Sequence, residues 1–301
     1  MRYYTLLSND GDARLIVETP RGVAMDLTSL DPDVTDLADL LLASSLSGMS
    51  VDEIANLTLE TGNADRFDMN EVMDTTRSGE GFYRLDRPFD PSEVWAAGVT
   101  YKTSEMERMR ESDTPDVYSK VYNSQRPEVF FKASSDRCVG PFESVGIRGD
   151  SDWNVPEPEL AFVLYRGDIV GYTIGNDMSS RAIEGENPLY LPQAKMFDRC
   201  CSIGPCFVTA EDLNPTDLDI SCSIARDGVE VWSDSTSTSQ MARSCEELAD
   251  WLQRHNFVPD LTTVLTGTAI VPPPEFSLQE GDVVTMSIEG IGVLENDVIE
   301  V

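Results

Sequence analysis

From Val94 to the end, the chain is cut into short apolar runs with Gly, Pro and Asp between them. Val129–Ala133, Leu160–Tyr165, Ile169–Ile174, Cys206–Thr209, Leu218–Ala225, Val229–Trp232, Thr262–Leu265 and Val283–Ile288 all read as strands. Runs this short and this frequent predict a mostly β architecture, a sandwich or roll. Asp227-Gly228, between two such runs, is a hairpin signal. Ahead of this region, residues 2–6 and 14–18 read as strands around an Asn-Asp-Gly turn. Residues 31–48 read as a helix carrying Leu37, Leu40, Leu41 and Leu42, and a second helix starts at Ser50, where Ser50 and Glu53 make a capping box. Residues 62–90 are polar and without strong period. The chain is therefore expected to be α+β: a small N-terminal α+β domain, 1–88, joined to a larger catalytic domain, 89–301, with a mixed β-sandwich or roll.

The segment PEPELAFVLYRGDIVGYTIGND carries the chemistry. Glu157 and Glu159 are two apart, so on a strand they point to one face. Pro156 and Pro158 place the pair at the beginning or edge of a strand. Arg166-Gly167-Asp168 reads as a turn, after which a second strand returns to Asp177. Register decides whether Asp177 joins the glutamates. A three-residue loop sets Tyr165 against Ile169 and brings Glu157 opposite Asp177 on one side of the ribbon. A two-residue loop mismatches the faces unless a bulge near the site corrects them. Three carboxylates on one face repel one another unless a cation sits among them. Oxygen-only ligands suit a hard ion, Mg²⁺ with Mn²⁺ or Ca²⁺ as substitutes, and three single-oxygen ligands leave positions open for substrate.

Charge narrows the partners. Asp plus Glu number 54 against 22 Lys plus Arg, a formal charge of −32, so nucleic acid and anionic membrane are poor partners. Only four lysines occur: Lys102, Lys120, Lys132 and Lys195. Such an acidic, lysine-poor surface suits a salt-rich cytoplasm, the composition of a halophile's protein. It also makes a lysine inside a motif more informative. The six cysteines, at 138, 200, 201, 206, 222 and 245, form no C-x-x-C pair and read as buried reduced thiols of a cytoplasmic protein without a secretory leader. No apolar stretch is long enough to span a bilayer. The single histidine, His255, falls in SCEELADWLQRHN, which reads as an amphipathic helix with Leu248, Trp251 and Leu252 inward. In its last turn a histidine complements the helix dipole, which leaves Ser-His and Cys-His schemes without a base.

The E-x-E pair, the hairpin and GYTIGNDMSSRAIE together resemble the fumarylacetoacetate hydrolase family. Lys195-Met196-Phe197-Asp198, Ser202-Ile203-Gly204-Pro205, Thr266-Gly267-Thr268, Gly281-Asp282-Val283-Val284 and the run Ile288–Leu294 follow in the family's order, so the likeness runs from about Val94 to the end. It implies a β-roll catalytic domain behind a smaller N-terminal one, a homodimer or homotetramer, and Mg²⁺ or Ca²⁺ on Glu157, Glu159 and Asp177. It gives Lys195 a catalytic position and assigns Arg181 and Thr268 to substrate binding. The substrates it implies are 2-keto acids or 1,3-dicarbonyl compounds that chelate the ion. Hydrolytic members carry a histidine in an N-Y-x-x-H pattern; here Tyr101 keeps the tyrosine and Ser104 stands where the histidine falls. Both are expected at the substrate site, and hydrolysis of a carbon–carbon bond is disfavoured.

RPEVFFKAS, VPEPEL and ENPLYLPQAKMFDRCCSIGP resemble the sugar-acid dehydratases of the family more narrowly. That implies removal of water from a 2-keto-3-deoxypentonate, the xylonate or the arabinonate compound, to give 2,5-dioxopentanoate in oxidative pentose degradation. It also makes Glu128 a catalytic candidate beside Lys195, with acid and base unassigned between them. The alternatives are another 2-keto acid enzyme of the family, an acylpyruvate hydrolase or an oxaloacetate decarboxylase or tautomerase, and a non-catalytic metal or sugar-acid binding protein.

Overall fold

A computed structural model of the chain describes residues 1–101 and 124–301. Lys102, Lys120 and Ser104, the last expected at the substrate site, lie outside the described residues.

The N-terminal part forms β1 (Arg2–Ser8), β2 (Ala13–Glu18), β3 (Ala24–Asp26), α1 (Leu37–Ser47), α2 (Val51–Glu60), β4 (Arg66–Phe67), α3 (Met69–Ser78) and β5 (Tyr83–Leu85). One boundary differs from expectation for a local reason. α1 starts at Leu37 rather than at residue 31, because Asp36 caps it and trades hydrogen bonds with Asp39. The stretch 62–90, polar and without strong period in sequence, holds α3, capped by Asp68 and closed by Gly79 in the left-handed region. The Ser50–Glu53 capping box forms as the sequence indicates.

Next come β6 (Glu93–Gly98), β7 (Glu128–Ser134), β8 (Cys138–Val139), β9 (Val145–Ile147), β10 (Asn154–Val155), β11 (Pro158–Tyr165), β12 (Asp168–Asp177) and β13 (Ser179–Ser180). Two short helices follow, α4 (Arg181–Glu186) and α5 (Leu191–Lys195). Then come β14 (Cys201–Thr209), β15 (Asp219–Arg226), β16 (Val229–Ser237), α6 (Cys245–Gln253), β17 (Thr262–Leu265), β18 (Val283–Ile288) and β19 (Gly292–Glu300). Every strand expected after Val94 is present, and the β15–β16 hairpin closes on Asp227 and Gly228, both at positive φ.

One sheet runs β4-β3-β2-β1-β14-β12-β11-β17-β6-β7; β5 also pairs with β1 and β8 with β14. A second sheet runs β16-β15-β18-β19-β9. The N-terminal strands are continuous with the large sheet, since Arg2 of β1 pairs with Val208 of β14. β11 and β12 lie at its centre and are buried along most of their length, as their near-continuous apolar sequence requires. All six cysteines are buried and unpaired. α6 ends at Gln253, so His255 lies beyond the helix in a left-handed turn (φ +56°) rather than in its last turn, and the dipole argument for it lapses. No helix among the described residues is long and apolar enough to cross a membrane.

Candidate metal centre and active site

The β11–β12 hairpin sets the site. Its turn is Arg166-Gly167, both at positive φ, so Tyr165 pairs with Asp168 and the loop has two residues, not three. Left alone, that turn puts Glu157 and Asp177 on opposite faces. A bulge restores the match: Leu164 pairs with Ile169 but Val163 pairs with Gly171, leaving Val170 as the extra residue. From there Glu159 faces Gly175, Pro158 faces Asn176, and the Asp177 N–H donates to the Glu157 carbonyl at 3.0 Å. The correction sits beside the turn, not beside the site.

Glu157, Glu159 and Asp177 are all buried, and each offers an oxygen within 4.8 Å of the others. Each carboxylate also has one oxygen beside a protein cation or N–H group. Arg181 Nη2 is 2.6 Å from Glu157 Oε1, and the Gly267 N–H donates to Glu159 Oε2 at 2.6 Å. Lys132 Nζ lies 2.6 Å from Asp177 Oδ1. This last contact is an ion pair without hydrogen-bond alignment; the ammonium donates to the carbonyls of Met178 and Lys195. On the inner side, Lys195 Nζ meets Glu157 Oε2 at 2.6 Å and Asp177 Oδ2 at 3.1 Å, and donates to Ser179 Oγ.

The electrostatics follow from burial. Desolvation, then the charges of Asp177 and Glu157, raise the Glu159 pKa well above the ordinary carboxylate value; Lys195 and the Gly267 N–H oppose this only in part. Burial alone lowers the Lys132 pKa, but the Asp177 charge reverses that, so the net shift is upward and the lysine stays charged. A buried set of three carboxylates offering oxygen alone fits a hard divalent ion.

The remaining candidates occupy different places. Lys195 closes α5 and is buried, so it is not a surface lysine. Arg181 opens α4, also buried, and reaches Glu184 at 3.7 Å as well as Glu157. Glu128 begins β7, opposite Gly98 of β6, and alternation puts Phe130 on the same face; Lys195 Nζ lies 5.7 Å from the Phe130 ring centre. Tyr101 is buried, and burial together with the charge of Glu159 raises its hydroxyl pKa. Thr268 Oγ1 accepts the Ile270 N–H at 3.1 Å in a local turn. Sequence reasoning missed Lys132, Ser179 and Gly267. Lysine scarcity was the available signal for Lys132, one of only four in the chain and placed within RPEVFFKAS.

A family model for the C-terminal region of fumarylacetoacetate (FAA) hydrolase matches residues 93–299. The chain belongs to the fumarylacetoacetate hydrolase family. Among members of that family, it is 50% identical over 304 residues to a Haloferax volcanii protein described as "Probable 2-keto-3-deoxyxylonate dehydratase", covering 99% of this chain and 100% of the relative. It is 46% identical over 220 residues to the 2-dehydro-3-deoxy-D-arabinonate dehydratase of Saccharolobus solfataricus, covering 70% and 73% of the two chains. A solved structure of 2-keto-3-deoxy-D-arabinonate dehydratase complexed with magnesium and 2,5-dioxopentanoate matches with a TM-score of 0.84 at 34% identity, covering 100% of this chain and 99% of that one.

Proposed function

We propose that the chain is a Mg²⁺-dependent hydro-lyase that converts a 2-keto-3-deoxypentonate to 2,5-dioxopentanoate. The observation that carries the reading is Lys195 Nζ, buried and in contact with both Glu157 and Asp177, in a chain similar over its full length to a dehydratase. Mg²⁺ held by Glu157, Glu159 and Asp177 supplies Lewis acidity toward a chelating 2-keto carboxylate.

The chain's own groups move the protons. One must leave C3 and another must reach the C4 hydroxyl, which departs as water and leaves a C3–C4 double bond; a C5 proton must then leave as one returns to C3, and the C4–C5 enol so formed takes a proton at C4 to become the C5 aldehyde. Lys195 and Glu128 are assigned this pair of opposite duties, since two proton-transfer groups are required. Arg181 holds Glu157 in place and, with Thr268, Tyr101 and Ser104, belongs to the substrate-binding set. The interior position of the site in the large sheet limits access of bulk water to the reacting groups.

The family match over 93–299 supports a catalytic unit spanning 89–301 behind an N-terminal unit of 1–88. The Haloferax volcanii relative and the −32 charge support a salt-rich cytoplasm as its location. A homodimer or homotetramer belongs to the same reading. The deciding experiment supplies 2-keto-3-deoxyxylonate and its arabinonate counterpart with Mg²⁺ and measures the aldehyde product, with oxaloacetate and an acylpyruvate as comparison substrates. Aldehyde from a pentonate is expected; turnover of the comparison substrates alone rejects the dehydratase.

A further inference from the structure

We infer that Lys132 sets which ion the carboxylate triad accepts: by holding Asp177 Oδ1 it leaves this ligand one oxygen to offer, which favours a small six-coordinate ion over Ca²⁺. The inference rests on the metal-centre reading above and adds a residue to it that neither the relatives' names nor the sequence motifs assign.

Three observations fix Lys132 in this position. Its side chain is fully buried, with Nζ 2.6 Å from Asp177 Oδ1. The same ammonium donates to the carbonyl of Met178, next to the ligand, and to the carbonyl of Lys195, at the end of α5. These two carbonyls hold the ammonium beside Asp177, so it cannot move away from Oδ1 without stranding both of them. The third observation is in the backbone of β7. Val94 pairs with Ala133 but Trp95 pairs with Phe131, so Lys132 is the extra residue of a bulge. Bulges re-aim a side chain, and this one belongs to the buried lysine at the ligand.

The consequence is about denticity. Ca²⁺ gathers six to eight oxygens in flexible geometry and readily takes both oxygens of a carboxylate; Mg²⁺ demands an octahedron and takes single oxygens. A cation fixed on Oδ1 opposes a second cation at that atom and so opposes bidentate binding by Asp177. Arg181 at Glu157 Oε1 and the Gly267 N–H at Glu159 Oε2 constrain the other two ligands in the same sense. Lys132 also ties Asp177 to the backbone of Lys195, so the ion's ligand and the proton-transfer lysine are positioned by one group.

The test is calorimetric titration of the full chain with Mg²⁺, Mn²⁺ and Ca²⁺, alongside the Lys132→Met and Lys132→Arg variants, with circular dichroism to check folding. The natural chain is expected to bind Mg²⁺ and Mn²⁺ more tightly than Ca²⁺. Lys132→Met is expected to lose Mg²⁺ affinity by about 10- to 100-fold, as outer partners of ligands do, while Ca²⁺ loses less, so the affinity ratio moves toward Ca²⁺ by about tenfold. Lys132→Arg keeps the charge and is expected to keep the natural order. A lysine with a merely structural role weakens both ions alike and leaves the ratio unchanged; that result in a folded Lys132→Met overturns the inference and leaves the metal centre standing. If Lys132→Met does not fold, the natural chain decides, and a preference for Ca²⁺ over Mg²⁺ overturns the inference. Binding of no divalent ion by the natural chain overturns the metal-centre reading and this inference together.

Discussion

Gly98 lies directly opposite Glu128 in the β6–β7 ladder, and the Glu128 carboxylate fills the space that a Cβ on Gly98 would occupy. The obstacle is the far end of a flexible side chain, so Gly98→Ala is expected to fold and to push the carboxylate aside. With Glu128 as a proton-transfer group, both Gly98→Ala and Glu128→Gln are expected to lower kcat, the latter by about 10²- to 10⁴-fold, with little change in Mg²⁺ affinity. Steady-state rates and Mg²⁺ titration of both variants check this. Full activity in Glu128→Gln removes Glu128 from the mechanism.

In the proposed reaction Lys195 has a part in the chemistry, and its contacts with Glu157 and Asp177 give it a second part in charge balance. Lys195→Met is expected to abolish turnover and, in the absence of a divalent ion, to destabilise the fold by about 3–5 kcal/mol, because Glu157 and Asp177 lose their shared buried cation. Added Mg²⁺ is expected to recover much of the stability and none of the rate. Lys195→Arg does not rescue turnover, since a guanidinium stays protonated and has a fixed fork. Thermal unfolding with EDTA and with Mg²⁺ separates the two contributions; equal destabilisation in both conditions counts against the charge-balance argument.

Much of this site was legible in the sequence because it is local. The E-x-E spacing of Glu157 and Glu159 guarantees one face, and RGD between two apolar runs announces a hairpin. What the sequence left open was the register, which depends on a one-residue choice of turn and on a bulge. Val170 is as apolar as its neighbours, so nothing in its identity marks it as the extra residue. Likewise α3 went unread because its apolar face is carried by only Met69, Val72 and neighbouring partly buried residues in a polar stretch. Lys132 escaped because its partner, Asp177, lies on a strand distant in sequence, and long-range pairing leaves no local period. Gly267 contributes a backbone N–H, a function no residue type advertises beyond its glycine.

Gly267 does require glycine. It sits at φ +90°, and a Cβ there would meet Thr100 Oγ1 and the Ala97 carbonyl, the second of which belongs to the backbone and cannot rotate away. Gly267→Ala is expected to cost about 1–3 kcal/mol through strain at this backbone position. It also shifts the N–H that holds Glu159 Oε2, so Mg²⁺ affinity is expected to fall with stability. Chemical denaturation and Mg²⁺ titration of the variant test the pair of effects. Loss of stability with unchanged Mg²⁺ affinity means that this N–H does not position the ligand.

The raised pKa of Glu159 makes stability and ion binding depend on pH in opposite directions. Burial and the neighbouring carboxylates favour its protonated form in the folded chain. A carboxyl raised in this way stabilises the fold at pH below its unfolded value, near about 4.3, and that contribution is lost as pH rises through the folded value. A dication among the three carboxylates favours the ionised form instead. The Mg²⁺-induced rise in Tm is therefore expected to grow as pH increases from about 5 to about 8, because proton and ion compete for the same group. Glu159→Gln keeps the size of the side chain and removes the titration, so its Mg²⁺-induced shift is expected to be smaller and flatter with pH. Thermal scans at fixed ionic strength, with EDTA or with saturating Mg²⁺, measure the difference directly, and fixed salt keeps the −32 surface from contributing a trend of its own. A Mg²⁺ shift that is constant or shrinks with rising pH in the natural chain contradicts a raised Glu159 pKa in the metal-free fold.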